Sequence, residues 1–376
     1  MFSLTGGIEE VCRVFSRALF DMGFKIGRFK VYSLYDKSSL RDSRYVSKAD
    51  FIGFNHWRIL FVIKAVIAGI RSNVVVLSHV NLLIVALLIK TLSPKTRIIV
   101  YAHGIEIWRK ISPWKRKFLF NHCEFWAVSN FTSQKIQEFH EIKSRQITIV
   151  PNCLDPFLII PGEFNKPAEL MKRYNLHPEQ PVLYTLTRLS SSELYKGYDQ
   201  VIESLPQLIK VFPNIHYLLS GRADQKEKTR LKLLVKKLGI SSHITLTGFI
   251  ADEELSDHFL LSDIFIMPSR KEGFGIVFIE AATCGCKIIG GNKDGSAEAL
   301  LNGELGTLID PGNKESIMHA ICDYLKKPRS INDRKTIQNL CLEHFNYESY
   351  LKKVQGLLLG IHCQSRSLKN YTTIHD

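Results

Sequence analysis

The chain has 376 residues, room for two domains of ordinary size, and carries 50 Lys and Arg against 36 Asp and Glu. The positive excess is confined to one half: residues 1–150 hold 23 basic and 10 acidic side chains, and the remainder holds 27 and 26. The most apolar stretches, 59–70 and 82–92, are shorter than the roughly 18–20 residues of a membrane span. No basic-then-apolar leader opens the chain, so the expected location is the cytoplasm or, peripherally, the inner face of the plasma membrane.

Residues 1–4 run into the glycine turn Thr5-Gly6-Gly7-Ile8 and then an amphipathic helix over 8–20. Short β-branched runs at 29–33, 74–78, 97–101, 125–128 and 147–150 read as strands, with helices at 56–70, 80–92 and 130–139. Proline and glycine between Val150-Pro151 and Pro161-Gly162 mark an exit linker. A second alternation follows, with strands at 182–187, 215–220, 244–247, 264–267 and 287–289 and helices at 197–211, 225–238 and 252–261. Three helices, 314–325, 331–344 and 347–359, complete the pattern. This is α/β layering in two parallel sheets. The expected division is 1–155, 170–345 and a tail over 346–376. Ligands of such sheets bind outside the carboxyl ends of the strands, so two facing sheets make a cleft there.

One segment carries chemistry. A strand ends at Pro268-Ser269, and Glu272-Gly273-Phe274-Gly275 forms a flexible corner. Glu280 then stands inside the apolar run 276–282. Such a run is buried, and a buried carboxylate is costly unless hydrogen-bonded or paired, so Glu280 requires a partner. A strand, glycine loop and helix in this order aim free backbone N–H groups above the strand end, which suits an anion.

Two glutamates eight positions apart, with this glycine corner between them, resemble the retaining glycosyltransferases of the GT4-type family, glycosyl transferases group 1. The resemblance implies a GT-B fold: two doubly wound Rossmann-like domains facing across a cleft, with a C-terminal helix packing back on the first domain. It assigns Glu272 to the donor sugar, Glu280 to the nucleotide ribose, and Gly273, Phe274, Gly275 and Ile276 to backbone contacts with sugar and diphosphate. It makes Arg188 and Lys196 the cations that meet the leaving diphosphate, although the seven residues between them exceed the family's usual spacing. His103 would hydrogen-bond the donor sugar, Gly6 and Gly7 would approach phosphates or acceptor, and Gly221 and Ile250 would line the donor site. The turn Asp294-Gly295-Ser296 reads as a helix cap with a secondary donor contact.

The implied reaction moves a sugar from a UDP- or GDP-linked donor to a hydroxyl acceptor, with surface polysaccharide, lipopolysaccharide or glycolipid assembly as its setting. Neither metal nor cofactor is implied, and no Asp-x-Asp motif occurs. Relatives carry a full strand before the first glycine loop, where residues 1–4 offer little. A chain lacking that strand is expected to be poorly stable or inactive, and an upstream extension to improve it. The alternative is a non-catalytic GT-B protein that binds a nucleotide sugar or acts as a scaffold. An NAD-binding reading fails because Phe278 stands where a third glycine is needed.

The basic half implies an anionic partner, either a lipid-linked glycan or an anionic membrane. No nucleic-acid module is recognisable. The run 107–118, with Trp108, Trp114 and five Lys or Arg, is the expected membrane contact. Eight cysteines without a Cys-x-x-Cys pair read as reduced, buried thiols.

Overall fold

The computed structural model describes residues 1–3, 6–327 and 330–360. In the N-terminal half, β1 (Val31–Ser33) pairs in parallel with β2 (Phe51–Gly53). A separate parallel sheet follows in the order β3 (Val74–Leu77), β4 (Arg97–Ala102), β5 (Cys123–Ala127), β6 (Ile147–Ile149). The residues after Arg97 in β4, Ile98 to Ala102, are all buried, because helices cover both faces of a parallel sheet. On one face lies α1 (Gly7–Met22). The other is covered by α2 (Arg58–Gly69), α3 (Leu83–Leu92), α4 (Pro113–His122) and α5 (Asn130–His140).

Past the linker come α6 (Ala168–Arg173) and a six-stranded parallel sheet. Its strands in chain order are β7 (Val182–Leu186), β8 (His216–Ser220), β9 (Ile244–Gly248), β10 (Ile264–Met267), β11 (Lys287–Gly291) and β12 (Thr307–Ile309), arranged 12-11-10-7-8-9. The order turns back beside β7, a doubly wound arrangement with a switch point. Helices α7 (Tyr198–Val211), α8 (Gln225–Lys237), α9 (Leu255–Leu261), α10 (Ile276–Thr283), α11 (Ser296–Ala299) and α12 (Lys314–Lys326) connect or cover these strands, and α13 (Ile331–His344) follows.

The last helix, α14 (Tyr347–Leu359), returns to the N-terminal half. The Tyr347 hydroxyl donates to Asp21 at 2.7 Å, and the hydroxyls of Tyr350 and Tyr101 meet at 3.3 Å in the interior.

Three short elements, β2, α6 and β12, were not expected from the pattern. The expected helices at 80–92 and 252–261 each begin with a 3-10 turn, at Val80–Leu82 and Asp252–Glu254. The run 107–118 is not one amphipathic helix. Ile107 and Phe118 are core residues, Trp108 packs edge-on to Phe131, and the helix starts only at Pro113.

Candidate active site

The carboxyl ends of β7, β8 and β10 and the start of α10 open on a single cleft of about 390 Å³. The start of α1 and residues 155–158 form its other wall. Ten of the expected residues line it: Gly6, Gly7, Arg188, Lys196, Gly221, Ile250, Glu272, Gly275, Ile276 and Glu280. His103, Gly273 and Phe274 are not among the lining residues.

Local backbone chemistry explains how the floor is built. Gly275 caps α10 with φ 91°, a left-handed conformation that favours glycine, and turns the first amides of the helix into the cleft. Gly221, at φ 137°, passes so close to β7 that a Cβ would lie 1.7 Å from the Thr187 carbonyl oxygen. The loop before α10 is fixed by Asp294, a buried carboxylate that accepts from the Glu272 N–H at 2.7 Å and the Ser296 N–H at 3.0 Å. Burial and the nearby Glu272 charge push Asp294 up to about 6. Its expected capping role therefore comes with a second one, holding Glu272.

Both expected cations of the cleft are paired with carboxylates. The Lys196 ammonium meets the Glu272 carboxylate, both of them largely shielded from solvent. Arg188 meets Glu193 but stays 61% exposed. Glu280 is buried, and the group it interacts with most strongly is the Glu10 carboxyl on α1, which lines the same cleft. Burial first, then the Glu10 charge, raises Glu280 well above the usual carboxylate range. Burial likewise raises Glu10 to about 7, against the lowering pull of the neighbouring Arg13.

His103 stacks on Tyr101 with ring centroids 4.8 Å apart, and neither ring nitrogen finds a hydrogen-bond partner among the described residues. Burial, with His79 nearby, depresses it to about 3, so the imidazole is neutral. The backbone of His103 and Gly104 abuts Gly273, where a Cβ would lie 1.8 Å from the His103 carbonyl oxygen. The Phe274 ring packs against Phe345 at 5.7 Å.

Sequence reasoning missed the wall opposite Glu280. Tyr45 donates to Asp155 at 2.6 Å, and the Arg13 and Arg44 guanidiniums lie over the Tyr45 ring at 5.8 and 5.5 Å. Nothing in the local pattern around Arg44 and Tyr45 marks them, since they come from a loop without periodicity. The contact between halves was also missed. Ser129 donates to the Gly273 carbonyl at 2.5 Å, and Glu298 accepts from the N–H groups of Asn130 and Phe131 at 2.7 and 2.8 Å.

Known proteins resemble this chain in both halves. The family model described as Glycosyltransferase Family 4 matches residues 5–156, and that described as Glycosyl transferases group 1 matches residues 168–339. A GDP-mannose-dependent alpha-(1-6)-phosphatidylinositol monomannoside mannosyltransferase of Mycolicibacterium smegmatis is 31% identical over 200 residues, 51% of this chain and 50% of that protein. Mannosylfructose-phosphate synthase of Agrobacterium fabrum is 29% identical, over 48% of this chain and 40% of that protein. The aligned region thus spans half or less of the length of these curated relatives.

Among solved structures, Anabaena HepE in complex with UDP and glucose superposes with a TM-score of 0.78 at 17% identity, covering 94% of this chain and 96% of that one. Sucrose-phosphate synthase from Thermosynechococcus elongatus gives 0.74 at 19%, covering 95% and 94%. With one family model on each half and the whole architecture shared, the chain belongs to the GT4-type glycosyltransferases, glycosyl transferases group 1, and has their GT-B fold.

Proposed function

We propose that the protein is a retaining glycosyltransferase that moves a sugar from a nucleotide-diphosphate donor to a hydroxyl acceptor in surface polysaccharide, lipopolysaccharide or glycolipid assembly. The observation that carries this reading is the cleft floor. Two cations, Arg188 and Lys196, share it with the first amides of α10 and with the carboxylates of Glu272 and Glu280. A diphosphate is the anion that such a combination of fixed cations and helix-end amides accommodates. The relatives' names agree in class: one uses GDP-mannose, and HepE was crystallised with UDP-glucose.

In this reading the diphosphate displaces Glu272 from Lys196 and Glu193 from Arg188, and Glu272 turns to the sugar hydroxyls. Glu280 holds the ribose, with Gly221 and Ile250 beside the nucleotide and Gly6 and Gly7 at the phosphates. His103, neutral and without a partner for its ring nitrogens among the described residues, does not line the cleft, and its hydrogen bond to the sugar requires the bound donor to reach past the Gly273 backbone. The bond between the anomeric carbon and the diphosphate oxygen breaks, and the acceptor oxygen bonds that carbon on the same face. The acceptor's proton passes to the departing diphosphate. The two cations stabilise the charge that builds on the leaving group, so transfer is proposed to need no metal.

Incubation with a panel of UDP- and GDP-sugars, reading nucleoside diphosphate release, tests this. One donor should be hydrolysed slowly, with or without EDTA, and Glu280→Ala should abolish the signal. Arg188→Ala should lower the rate on the order of 100-fold, the usual cost of one such donor. A wild-type rate in Arg188→Ala would remove that residue from the mechanism, and binding of a nucleotide sugar without turnover in any acceptor mixture would favour a non-catalytic protein.

A further inference from the structure

A helix that covers a sheet buries one stripe and normally presents polar residues on the other. On α8 the outward stripe is Lys228, Lys232 and Lys236, four residues apart. On α2 the same spacing gives Ile59, Ile63 and Ile67, and on α3 it gives Ile84, Leu88 and Leu92, all exposed. Ile59 and Leu92 are 79% and 65% exposed. These two helices are the short apolar stretches noted in the sequence, too short to cross a bilayer, and their inner faces already satisfy the sheet.

The two stripes are neighbours. α2 and α3 pack so closely that a Cβ on Gly69 would lie 2.2 Å from Ile89 Cδ1, and α4 lies against α3. Trp57, 69% exposed, stands at the start of α2, and Trp114 opens α4 with the Lys115 ammonium 5.7 Å over its ring. An apolar face of this extent marks a site of association.

Charge decides what associates. Between residues 54 and 122 there are eleven Lys and Arg and a single carboxylate, Glu106. That carboxylate is turned inward, accepting from the His103 and Gly104 amides at 2.5 and 3.0 Å. Arg58, Lys64, Lys110, Lys115 and Lys117 have no ion-pair partner among the described residues. A second copy docked on this face would set like charge against like. A leaflet of anionic lipid would cover the apolar stripes and neutralise their basic surround together.

We propose that the outer faces of α2 and α3, flanked by the basic residues of α4, form the surface by which this protein docks on an anionic lipid membrane. The residues that enter the lipid are the aliphatic stripes of α2 and α3, with Trp57 and Trp114 at the level of the headgroups and Lys115 and Lys117 on their phosphates. The docking face thus takes only Trp114, Lys115 and Lys117 from the 107–118 run, whose Ile107 and Phe118 are core, and rests mainly on α2 and α3.

The test is sedimentation of the full chain with vesicles of phosphatidylcholine alone or mixed with phosphatidylglycerol, at low and raised salt. No donor is present, so the outcome is independent of the transfer reaction. At low salt the mixed vesicles should bind about tenfold more protein than the neutral ones, and raised salt should reduce the difference several-fold. Ile63→Asp with Leu88→Asp should abolish binding while circular dichroism stays unchanged. Lys115→Glu with Lys117→Glu should weaken it by several-fold at low salt only. Equal binding to both vesicle types, or none to either, overturns the proposal. So does a concentration-dependent dimer in ultracentrifugation that the Ile63 and Leu88 variants dissociate, which would assign the face to a second copy. The wild-type comparison of lipids and salts decides the matter even if a variant fails to fold.

Discussion

Glu10 and Glu280 put two carboxyls into one cleft where each disfavours the other's charge, and such a pair keeps a proton that an isolated carboxyl would lose. Below the ordinary value of 4.5 the folded and unfolded chains both hold the Glu10 proton. As pH rises from there to about 7, the unfolded chain releases it and the folded chain does not, so this group's contribution to stability falls across that window. Above about 7 the cost is fully present. Because Glu10 is only half-buried, solvent screening should hold the effect to on the order of 1 kcal/mol. Glu10→Gln should therefore lose less melting temperature than the parent between pH 5 and pH 8, and parallel profiles would show that no proton is shared. Half of this pair was legible: an acid within an apolar run demanded a partner. Glu10 was not, because an acid in the first turn of a helix already has a sufficient reason in the helix dipole. Only the fold brings α1 to α10.

At the scale of elements, the start of α5 is the contact through which the two halves hold the cleft. Its free amides at Asn130 and Phe131 are satisfied by Glu298 from the opposite half, and Ser129, which caps the helix through the Thr132 N–H, also holds the Gly273 carbonyl. Glu298→Ala leaves those amides without their charged acceptor and loosens the loop that carries Glu272 and Gly275. Its expected signature is a donor KM raised several-fold with kcat less affected, together with a larger radius of gyration by solution scattering. A variant with wild-type KM and wild-type dimensions would reduce Glu298 to an ordinary helix cap. Long elements were legible, since α7 carries enough residues to show its period and β4 is a continuous apolar run of the kind a doubly covered strand requires. Strands β2 and β12 have three residues each and α6 has six, and a pattern of period two or 3.6 cannot declare itself over so few positions. The expected helix at 80–92 lost its first turn to His79, whose ring accepts from the Asn81 N–H and closes a local turn instead.

At the scale of the whole molecule, two rounds of strand and helix in the sequence correspond to two sheets, and the charge asymmetry coincides with that division. How the halves meet was not legible, because the contacts at Gly273, Glu298 and Tyr350 join residues more than a hundred positions apart. The return of α14 belongs to this scale. Tyr350 and Val354 are buried against the first half, whose Tyr101 and Trp126 share the same core. Ending the chain at Asn346 should expose that core and shift most of the protein into the insoluble fraction, while a fully soluble product with an unchanged melting temperature would make α14 dispensable.

The same helix sets a timetable for synthesis. The first half leaves the ribosome early, but the helix that seals it is encoded some two hundred codons later. At bacterial or eukaryotic elongation rates that interval lasts roughly 10–40 s. Throughout it, a nascent chain bearing a finished basic surface carries an open apolar face, available to chaperones. In this protein the part made first is the part completed last.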